Sequence, residues 1–367
     1  MHICHVYKDF YPPVIGGIEK HIALSVKYQK QWAKITVLVC SRQLKTSRTV
    51  TDNVEIISVG ELGRILSSPI APLFPLYLRN IKPDLFIIHS PNPLGELSVL
   101  LNHGNIPYVV RYHSDVVRQK YTMKLYSPLF YNFLKKSELI IPTSDVYANN
   151  SPFLSKHLDK CKTIPLGIET NKFGFFDKNK IDEIQRKYGS SFVFFCGVHR
   201  YYKGIHVLIQ SANNINVPIV IAGDGPERKR LEDLKKSLSC DNVFFIGQIS
   251  DDDLINYLHA CSLFVFPSIA RSEAFGLSII EAHSVGKPVI ATKLGTGVEF
   301  ANLDGITGIN VPPNDSISLS NAISFLLEHP EIRIQMGKTA KERVEKEFNI
   351  ENTAKMEFDL YRSVVGK

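Results

Sequence analysis

Long hydrophobic runs, clustered cysteines and an export signal are all missing from this sequence, and each absence excludes a class of protein. No apolar stretch approaches the roughly 20 residues that cross a bilayer, and the segment 262–270 is interrupted by Pro267. The six cysteines have no CxxC spacing, which argues against a zinc or thioredoxin-type centre. The first residues lack the basic and apolar regions of a secretory signal. We therefore expect a cytoplasmic protein without a membrane span.

Several catalytic motifs are also missing. The sequence contains no GxxxxGK[ST], HExxH or GxSxG string, so nothing indicates a Walker A loop, a metalloprotease or a serine hydrolase. The GxG at 223–225 has Arg228 where a dinucleotide-binding loop requires its last glycine, so we interpret it as a turn. The acidic run 251–253 is typical of a helix start, since carboxylates favour the positive helix end.

Composition and length favour two folded domains. The chain has 367 residues, of which 44% are hydrophobic and 22% charged, values of an ordinary globular protein too long for one core. The net charge of +7 belongs to the first half, because residues 1–170 hold 20 Lys and Arg against 12 Asp and Glu. A basic half predicts an anionic partner, with nucleic acid, anionic lipid and a phosphorylated substrate as candidates.

Short apolar runs alternate with amphipathic segments in two series, which predicts an α/β fold with two doubly wound parallel sheets. We place the domains at 1–175 and 176–349 and expect the two to face a central cleft where ligands bind. The final helix, 350–367, is expected to cross back and complete the first domain. The predicted strands are 2–7, 34–40, 54–59, 85–89, 108–113 and 138–142, then 192–198, 217–223, 242–247, 262–267 and 287–292.

The segment 268–292 is the most informative for function. Glu273 follows a strand that ends at Pro267, and Glu281 lies eight residues further along a predicted helix, roughly 12 Å away at the helical rise. One carboxylate could contact a sugar and the other a ribose, while backbone N–H groups of Phe275, Gly276 and Leu277 face a diphosphate. Alternatively, Glu273 caps the helix and Glu281 is a structural carboxylate.

Basic and glycine-rich loops form two further candidate elements. Arg200 and Lys203 lie in a strand-to-helix turn, where cations are suited to neutralising phosphates; a solvated basic loop is the alternative. Gly16 and Gly17 precede the first helix and permit positive φ and close approach of a ligand, although a simple tight turn would also explain them.

His113 and Asp115 follow an apolar strand at the end where doubly wound sheets place their ligands. The surrounding segment 111–136 interleaves basic and aromatic residues, among them Arg111, Arg118 and Lys120. Such a surface could lie on an anionic bilayer or bind a pyrophosphate-bearing lipid. An amphipathic helix with an aromatic core face is the alternative.

Taken in order, these motifs resemble those of the GT-B glycosyltransferases, and in particular retaining family 4. The resemblance covers nearly the whole chain and is carried by GGIEKH, RYHSD, IPLGIE, GVHRYYKG, AGDGPE, the pair Glu273 and Glu281, GKPVIAT and TGINVPPND. The KLGTGVEFAN segment at 293–302 departs from the GGxPE-type loop of many members. Together with RYHSDVVRQK and RSEAFG, it looks like the subgroup of bacterial O-antigen α-1,3-mannosyltransferases.

The resemblance implies a role for each candidate residue. Arg200 and Lys203 would bind the donor diphosphate with the backbone of Phe275, Gly276 and Leu277, and Gly16 and Gly17 would close on the phosphates. Glu273 would contact sugar hydroxyls and Glu281 the ribose, while His113 would lie near the sugar 6-hydroxyl and the reacting centre. His113, Arg200, Lys203 and Glu273 are thus the expected catalytic group. Charge and position alone suggest Asp115, Arg118 and Lys120 for the acceptor.

The implied activity is transfer of a hexose, with retention of its anomeric configuration, onto a polyprenyl-diphosphate-linked oligosaccharide in O-antigen or other surface polysaccharide synthesis. Mannose from GDP-mannose is the favoured donor sugar. The resemblance implies no metal and no cofactor, a peripheral location at the inner face of the cell membrane and no nucleic-acid partner. Three alternatives stay open: a UDP-hexose donor, a non-hydrolysing nucleotide-sugar epimerase, and a non-catalytic basic module that binds nucleic acid.

Overall fold

The computed structural model describes residues 1–14, 16–65, 68–115 and 120–366, with the side chains of 120–125 left aside. It contains two compact units. Unit 1 comprises Met1–Gly167 together with Ile350–Lys367, and unit 2 comprises Ile168–Asn349.

The described strands and helices are numbered in chain order. The strands are β1 (His2–Val6), β2 (Lys34–Cys40), β3 (Ser47–Thr51), β4 (Val54–Val59), β5 (Arg64–Ile65), β6 (Ser68–Pro69), β7 (Leu85–Ser90), β8 (Tyr108–Tyr112), β9 (Leu139–Pro142), β10 (Val193–Cys196), β11 (Ile219–Ala222), β12 (Val243–Gly247), β13 (Leu263–Phe266), β14 (Val289–Thr292) and β15 (Gly308–Val311). The helices are α1 (Gly17–Gln29), α2 (Phe74–Asn80), α3 (Pro93–Asn102), α4 (Lys120–Lys136), α5 (Asp145–Asn150), α6 (Lys178–Tyr188), α7 (Ile205–Ser211), α8 (Arg228–Ser237), α9 (Asp251–Ala260), α10 (Leu277–Ser284), α11 (Gly297–Ala301), α12 (Ser316–Glu328), α13 (Pro330–Glu347) and α14 (Ile350–Val365).

Both units are doubly wound α/β structures, which confirms the predicted fold class. Unit 1 has the strand order β3-β4-β2-β1-β7-β8-β9, and all its neighbouring pairs are parallel except β3 with β4. Unit 2 has the order β12-β11-β10-β13-β14-β15 and is parallel throughout. The strand order therefore reverses direction between β1 and β7 in unit 1 and between β10 and β13 in unit 2. Loops beyond the carboxyl ends of such strands form the ligand-binding crevice of open α/β sheets.

Local sequence explains where several helices begin. Ser250 caps α9 by accepting a hydrogen bond from the backbone N–H of Asp253, so the acidic run 251–253 is a helix start, as predicted. Asp177 and Asp315 cap α6 and α12 in the same way. Each cap satisfies backbone N–H groups that the helix itself leaves without a partner.

The boundary between the units lies at Gly167, whereas the sequence placed it at 175. The segment 168–175 is bound to unit 2, because the Ile168 N–H donates to the Phe348 carbonyl over 2.8 Å and the imidazole of His259 contacts the Phe173 carbonyl at 2.9 Å. These bonds were not visible as a pattern in the sequence.

The final helix α14 belongs to unit 1 and packs against α1. Trp32, just after α1, lies against Phe358 of α14 with 5.4 Å between ring centroids, and Tyr361 is fully buried. No helix among the described residues is long and apolar enough to cross a membrane.

One expectation for the basic and aromatic segment 111–136 is wrong. Arg111 is fully buried in β8 and forms an ion pair with Glu357 of α14 at 2.8 Å, so it is a core cation and no part of a basic surface. Phe130 and Phe133 of α4 are buried as well. Core packing therefore accounts for these aromatic side chains, which was the alternative interpretation of the segment.

Candidate active site

In unit 2, the predicted basic loop and the predicted acidic loop meet at the switch point of the sheet. The loop after β10 forms a 3₁₀ turn at Tyr201–Lys203, and the loop after β13 carries Glu273. The Ile269 N–H donates to the Tyr202 carbonyl over 2.8 Å. The two loops are thus joined directly, and this contact brings Lys203 and Glu273 together.

Gly204 is required for this junction. Its φ is +67°, and a Cβ atom there would lie 1.8 Å from the carbonyl oxygen of Pro267. Only glycine combines this left-handed conformation with so close a backbone approach. Gly204 therefore fixes how tightly the basic loop packs on the end of β13.

Lys203 and Glu273 form a largely buried ion pair. The Lys203 Nζ lies 2.5 Å from the Glu273 Oε2, and the side chains are 17% and 12% exposed. Ser268 donates a second hydrogen bond to the same oxygen over 3.2 Å. Burial acts to lower the pKa of Lys203, but the Glu273 carboxylate outweighs it and raises that pKa above its ordinary value. The site thus holds a firmly charged ammonium group at the switch point.

Arg200 adds a second cation to the same loop. It is exposed, and its guanidinium makes no hydrogen bond or ion pair to any residue that the structure describes. Its positive charge is close enough to Lys203 to act against the raised pKa of that side chain, which nevertheless stays above its ordinary value. An anion at this position would reduce the repulsion between the two cations.

The start of α10 supplies uncharged donors beside these cations. Gly276 is the N-cap, with φ of +87°, and the backbone N–H groups of Phe275, Gly276 and Leu277 donate no hydrogen bond within the described part of the chain. Unpaired N–H groups at a helix N-terminus favour an anion. Glu281 lies further along α10 and is half-buried. All the donor-site residues predicted in unit 2 therefore belong to the loops after β10 and β13 or to α10.

A third loop supports the acidic one. Arg271 donates to the carbonyl oxygens of Leu294 and Gly295 at 3.2 and 2.9 Å, and the Gly297 N–H donates to the Ala274 carbonyl over 2.8 Å. The KLGTG segment, which departs from the common family pattern, thus holds the Glu273 loop in place.

In unit 1, Gly16 and Gly17 lie at the N-terminus of α1, as predicted, but the positive φ they were expected to permit is not adopted. Gly16 is extended, with φ of −159°. A Cβ atom at Gly16 would lie 2.2 Å from Oε2 of Glu19, which is the movable end of a side chain. Gly16 therefore provides space beside a buried carboxylate, and the backbone geometry there would suit any residue.

His113 and Asp115 both follow β8 and are both buried. Asp115 Oδ1 accepts hydrogen bonds from the hydroxyls of Tyr112 and Ser151 at 2.7 and 2.6 Å, so this carboxylate holds its own loop together. His113 Nε2 contacts His89, whereas His113 Nδ1 is buried with no hydrogen-bond partner among the described residues. Arg118 and the side chain of Lys120 lie outside the described residues.

Sequence reasoning missed four residues behind His113. His5, His89, Gln29 and Glu357 are each at most 1% exposed and are linked to His113 by hydrogen bonds. Their common signal is a polar residue within an apolar strand or on the buried face of a helix, which is costly unless it is hydrogen-bonded.

The chain matches two family models in succession: residues 15–172 match Glycosyltransferase Family 4, and residues 177–343 match Glycosyl transferases group 1. The O-antigen chain mannosyltransferase C of Escherichia coli is 33% identical, with 100% of this chain and 99% of that protein covered. The D-rhamnosyltransferase WbpZ of Pseudomonas aeruginosa is 31% identical over 95% of this chain and 92% of that protein. In fold, sucrose-phosphate synthase from Thermosynechococcus elongatus superposes with a TM-score of 0.83 at 22% identity, covering 100% of this chain and 99% of that one.

Two doubly wound units, with cations and unpaired N–H groups at the switch point of the second, define a GT-B enzyme. The chain belongs to the family 4, or group 1, glycosyltransferases. The predicted activity class is therefore confirmed, and the epimerase and the non-catalytic module are set aside. Metal independence, membrane association and the absence of a nucleic-acid partner stay predictions.

Proposed function

We propose that this glycosyltransferase transfers mannose from GDP-mannose, with retention of configuration, onto a polyprenyl-diphosphate-linked oligosaccharide during O-antigen or related surface polysaccharide synthesis. The main support for a donor site in unit 2 is the buried Lys203–Glu273 ion pair at the switch point of its sheet. The full-length similarity to an O-antigen mannosyltransferase supports the sugar and the acceptor class. The basic first half of the chain supports a peripheral position at the cytoplasmic face of the membrane.

Charge development on the leaving group explains the residues at the site. When the glycosidic bond to phosphate breaks, negative charge accumulates on the departing diphosphate. Lys203 and Arg200 would stabilise that charge together with the N–H groups at the start of α10. Each charge-assisted hydrogen bond contributes about 1.5–3 kcal/mol, so these residues could supply the stabilisation without a metal.

The remaining side chains orient the sugar and the nucleotide. Glu273 would accept hydrogen bonds from sugar hydroxyls once the diphosphate takes over its contact with Lys203, and Glu281 would bind the ribose. His113 would contact the 6-hydroxyl. In a front-face reaction, a departing phosphate oxygen takes the proton of the acceptor hydroxyl while that hydroxyl oxygen bonds to the anomeric carbon from the same side. No protein nucleophile is then needed.

The donor site can be tested by calorimetric titration of the purified chain with GDP and with UDP, each with and without EDTA. We expect GDP to bind more tightly than UDP and its affinity to survive EDTA. Lys203→Met should weaken GDP binding about 10- to 150-fold, the equivalent of one charge-assisted contact. Lys172→Met is the matched control, because Lys172 forms an exposed ion pair with Asp251 elsewhere in unit 2, and it should bind GDP like the unaltered chain.

Each arm has a result that contradicts part of the proposal. Tighter binding of UDP would replace GDP-mannose by a UDP-hexose donor, and loss of binding in EDTA would overturn metal independence. Equal GDP affinity of the Lys203→Met and Lys172→Met variants would remove Lys203 from the donor site.

D-rhamnose is the second candidate sugar, because one full-length relative is a D-rhamnosyltransferase. D-rhamnose is mannose without its 6-hydroxyl. The unpartnered Nδ1 of His113 favours mannose, since a buried acceptor left unsatisfied costs about 1–3 kcal/mol. We expect kcat/KM for GDP-mannose to exceed that for GDP-D-rhamnose about 5- to 150-fold, and the opposite preference would reassign the sugar.

A further inference from the structure

Three buried histidines of unit 1 form a continuous hydrogen-bonded chain that starts at Gln29. The distances are 3.1 Å from Gln29 Oε1 to His5 Nε2, 3.0 Å from His5 Nδ1 to His89 Nε2, and 2.9 Å from His89 Nδ1 to His113 Nε2. All four side chains are at most 3% exposed. We call Gln29, His5, His89 and His113 the histidine chain.

The pairing of the strands explains this alignment. His5 of β1 is in register with Ile87 of β7, and His89 lies two residues beyond. His89 is in turn in register with Arg111 of β8, and His113 lies two residues beyond that. Residues two apart share a face of a sheet, so the three imidazoles step diagonally across the switch point of unit 1 towards its carboxyl edge.

The direction of hydrogen-bond donation along the histidine chain is set at its Gln29 end. The amide Nε2 of Gln29 donates to Glu357 Oε2 over 3.1 Å, so the amide oxygen must face His5. Glu357 is ionised, because it pairs with Arg111 at 2.8 Å. Burial acts to raise the pKa of Glu357, but Arg111 and His21 outweigh it and lower that pKa to about 2. A carboxylate can only accept hydrogen bonds, which fixes the amide orientation.

Proton positions then follow ring by ring. Burial lowers the pKa of His5 to about 4 and holds those of His89 and His113 well below the ordinary value, so each ring is neutral and carries one proton. The amide oxygen of Gln29 requires the His5 proton on Nε2. His5 Nδ1 must then accept from His89 Nε2, and His89 Nδ1 must accept from His113 Nε2. This order leaves His113 Nδ1 without a proton.

We propose that Gln29, His5 and His89 are positioning residues that hold His113 in the Nε2–H tautomer, so that its Nδ1 is a hydrogen-bond acceptor reserved for a ligand hydroxyl. The buried Nδ1 has no partner among the described residues, which is unfavourable until a donor reaches it. A hydroxyl can satisfy this atom, whereas a phosphate or carboxylate oxygen is repelled by its lone pair. The identity of that hydroxyl as the sugar 6-hydroxyl rests on the proposed function; the tautomer does not.

The tautomer can be measured without any donor. We would label the full chain with ¹⁵N-histidine, record two-bond ¹H–¹⁵N correlation spectra at neutral pH, and assign His113 by comparison with His113→Gln. We expect a single neutral tautomer with the proton on Nε2. A proton on Nδ1, a charged ring, or an equal mixture of tautomers in the unaltered chain would overturn the proposal, and this measurement needs no substitution within the positioning residues.

The role of the positioning residues is tested by Gln29→Met, which removes the amide oxygen while keeping a side chain of similar length. We expect a detectable population of the Nδ1–H tautomer at His113. Ser25→Ala is the matched control, because Ser25 on the same helix donates to the same Glu357 oxygen over 3.3 Å but has no hydrogen bond to His5, His89 or His113 in the part of the chain that the structure describes. It should leave the tautomer unchanged, and an equal response of the two variants would contradict the role of Gln29.

Kinetics separate this inference from the proposed function. In Gln29→Met, kcat/KM for the donor should fall in proportion to the fraction of His113 that has moved to the Nδ1–H tautomer, about twofold for an equal mixture, because that fraction presents an N–H where an acceptor is needed. GDP affinity should stay unchanged, since GDP lacks the sugar. If the tautomer shifts as expected but turnover of every nucleotide sugar is unaffected, the His113 contact in the proposed function fails while the tautomer assignment stands.

Discussion

Replacing Glu357 by glutamine removes the negative charge that faces the buried guanidinium of Arg111. Glu357 Oε1 lies 2.8 Å from Arg111 and 3.4 Å from His21, and its Oε2 accepts from Gln29 and Ser25. An amide keeps one acceptor oxygen and places two N–H donors among these four groups. Removal of one partner from a buried ion pair typically costs 3–5 kcal/mol, because the other charge stays buried without compensation.

We therefore expect Glu357→Gln to lower the free energy of unfolding of unit 1 by about 3–5 kcal/mol. Urea denaturation followed by tryptophan fluorescence reports this directly, because Trp32 is the sole tryptophan and packs on Phe358 of α14. Asp359→Asn is the control on the same helix, since Asp359 forms an exposed pair with Lys355, and it should cost at most about 1 kcal/mol.

A double-substitution cycle makes the test sharper. Arg111→Met combined with Glu357→Gln should destabilise the unit by less than the sum of the single changes, with a coupling of about 0.5–3 kcal/mol. The reasoning is refuted if Glu357→Gln costs no more than Asp359→Asn, or if the two single effects simply add.

Two further predictions concern backbone fit and pH. Gly204→Ala should destabilise unit 2 by more than about 2 kcal/mol, because the added Cβ would meet the Pro267 carbonyl; Gly305→Ala, with a similar φ of +73° but open space around it, should cost only about 1 kcal/mol of backbone strain. Comparable melting temperatures for the two variants would contradict this. Acidification should destabilise unit 1: burial lowers the folded pKa of His5 from 6.5 to about 4, so the unfolded state takes up its proton first. The neutral His5 ring therefore stabilises unit 1 fully above pH 6.5, and this contribution of about 3 kcal/mol is lost as the pH falls towards 4. Urea midpoints that do not fall between pH 7 and 5 would contradict this prediction.

The strands that the sequence predicted correctly share a continuous apolar character. Four described strands were missed, for physical reasons. β5 and β6 have two residues each, too few for any periodic pattern. β3 (Ser47–Thr51) is exposed along its whole length and pairs antiparallel at the edge of its sheet, so no burial pattern marks it. β15 (Gly308–Val311) begins with glycine and has Asn310 between its two apolar residues, so it lacks the continuous apolar run of the predicted strands.

In the candidate site, residues that follow a strand in the sequence could be predicted, whereas residues brought together from distant parts of the chain could not. The Lys203 and Glu273 loops could be proposed from local motifs, because each follows a recognisable strand. The histidine chain could not, since His5, His89 and His113 come from three strands and meet only through strand order and register. The burial of Arg111 likewise depends on Glu357, which lies hundreds of positions later and reaches β8 only because α14 packs on unit 1.

Transfer of mannose itself is the most direct test of the account. The purified chain would be incubated with GDP-α-D-mannose and a polyprenyl-diphosphate-linked oligosaccharide, and the new linkage analysed by proton NMR for its anomeric configuration. We predict one added mannose in α linkage, formed also in the presence of EDTA and lost with Lys203→Met. A β-linked product would contradict retention, and transfer only from a UDP-hexose would contradict the assigned donor.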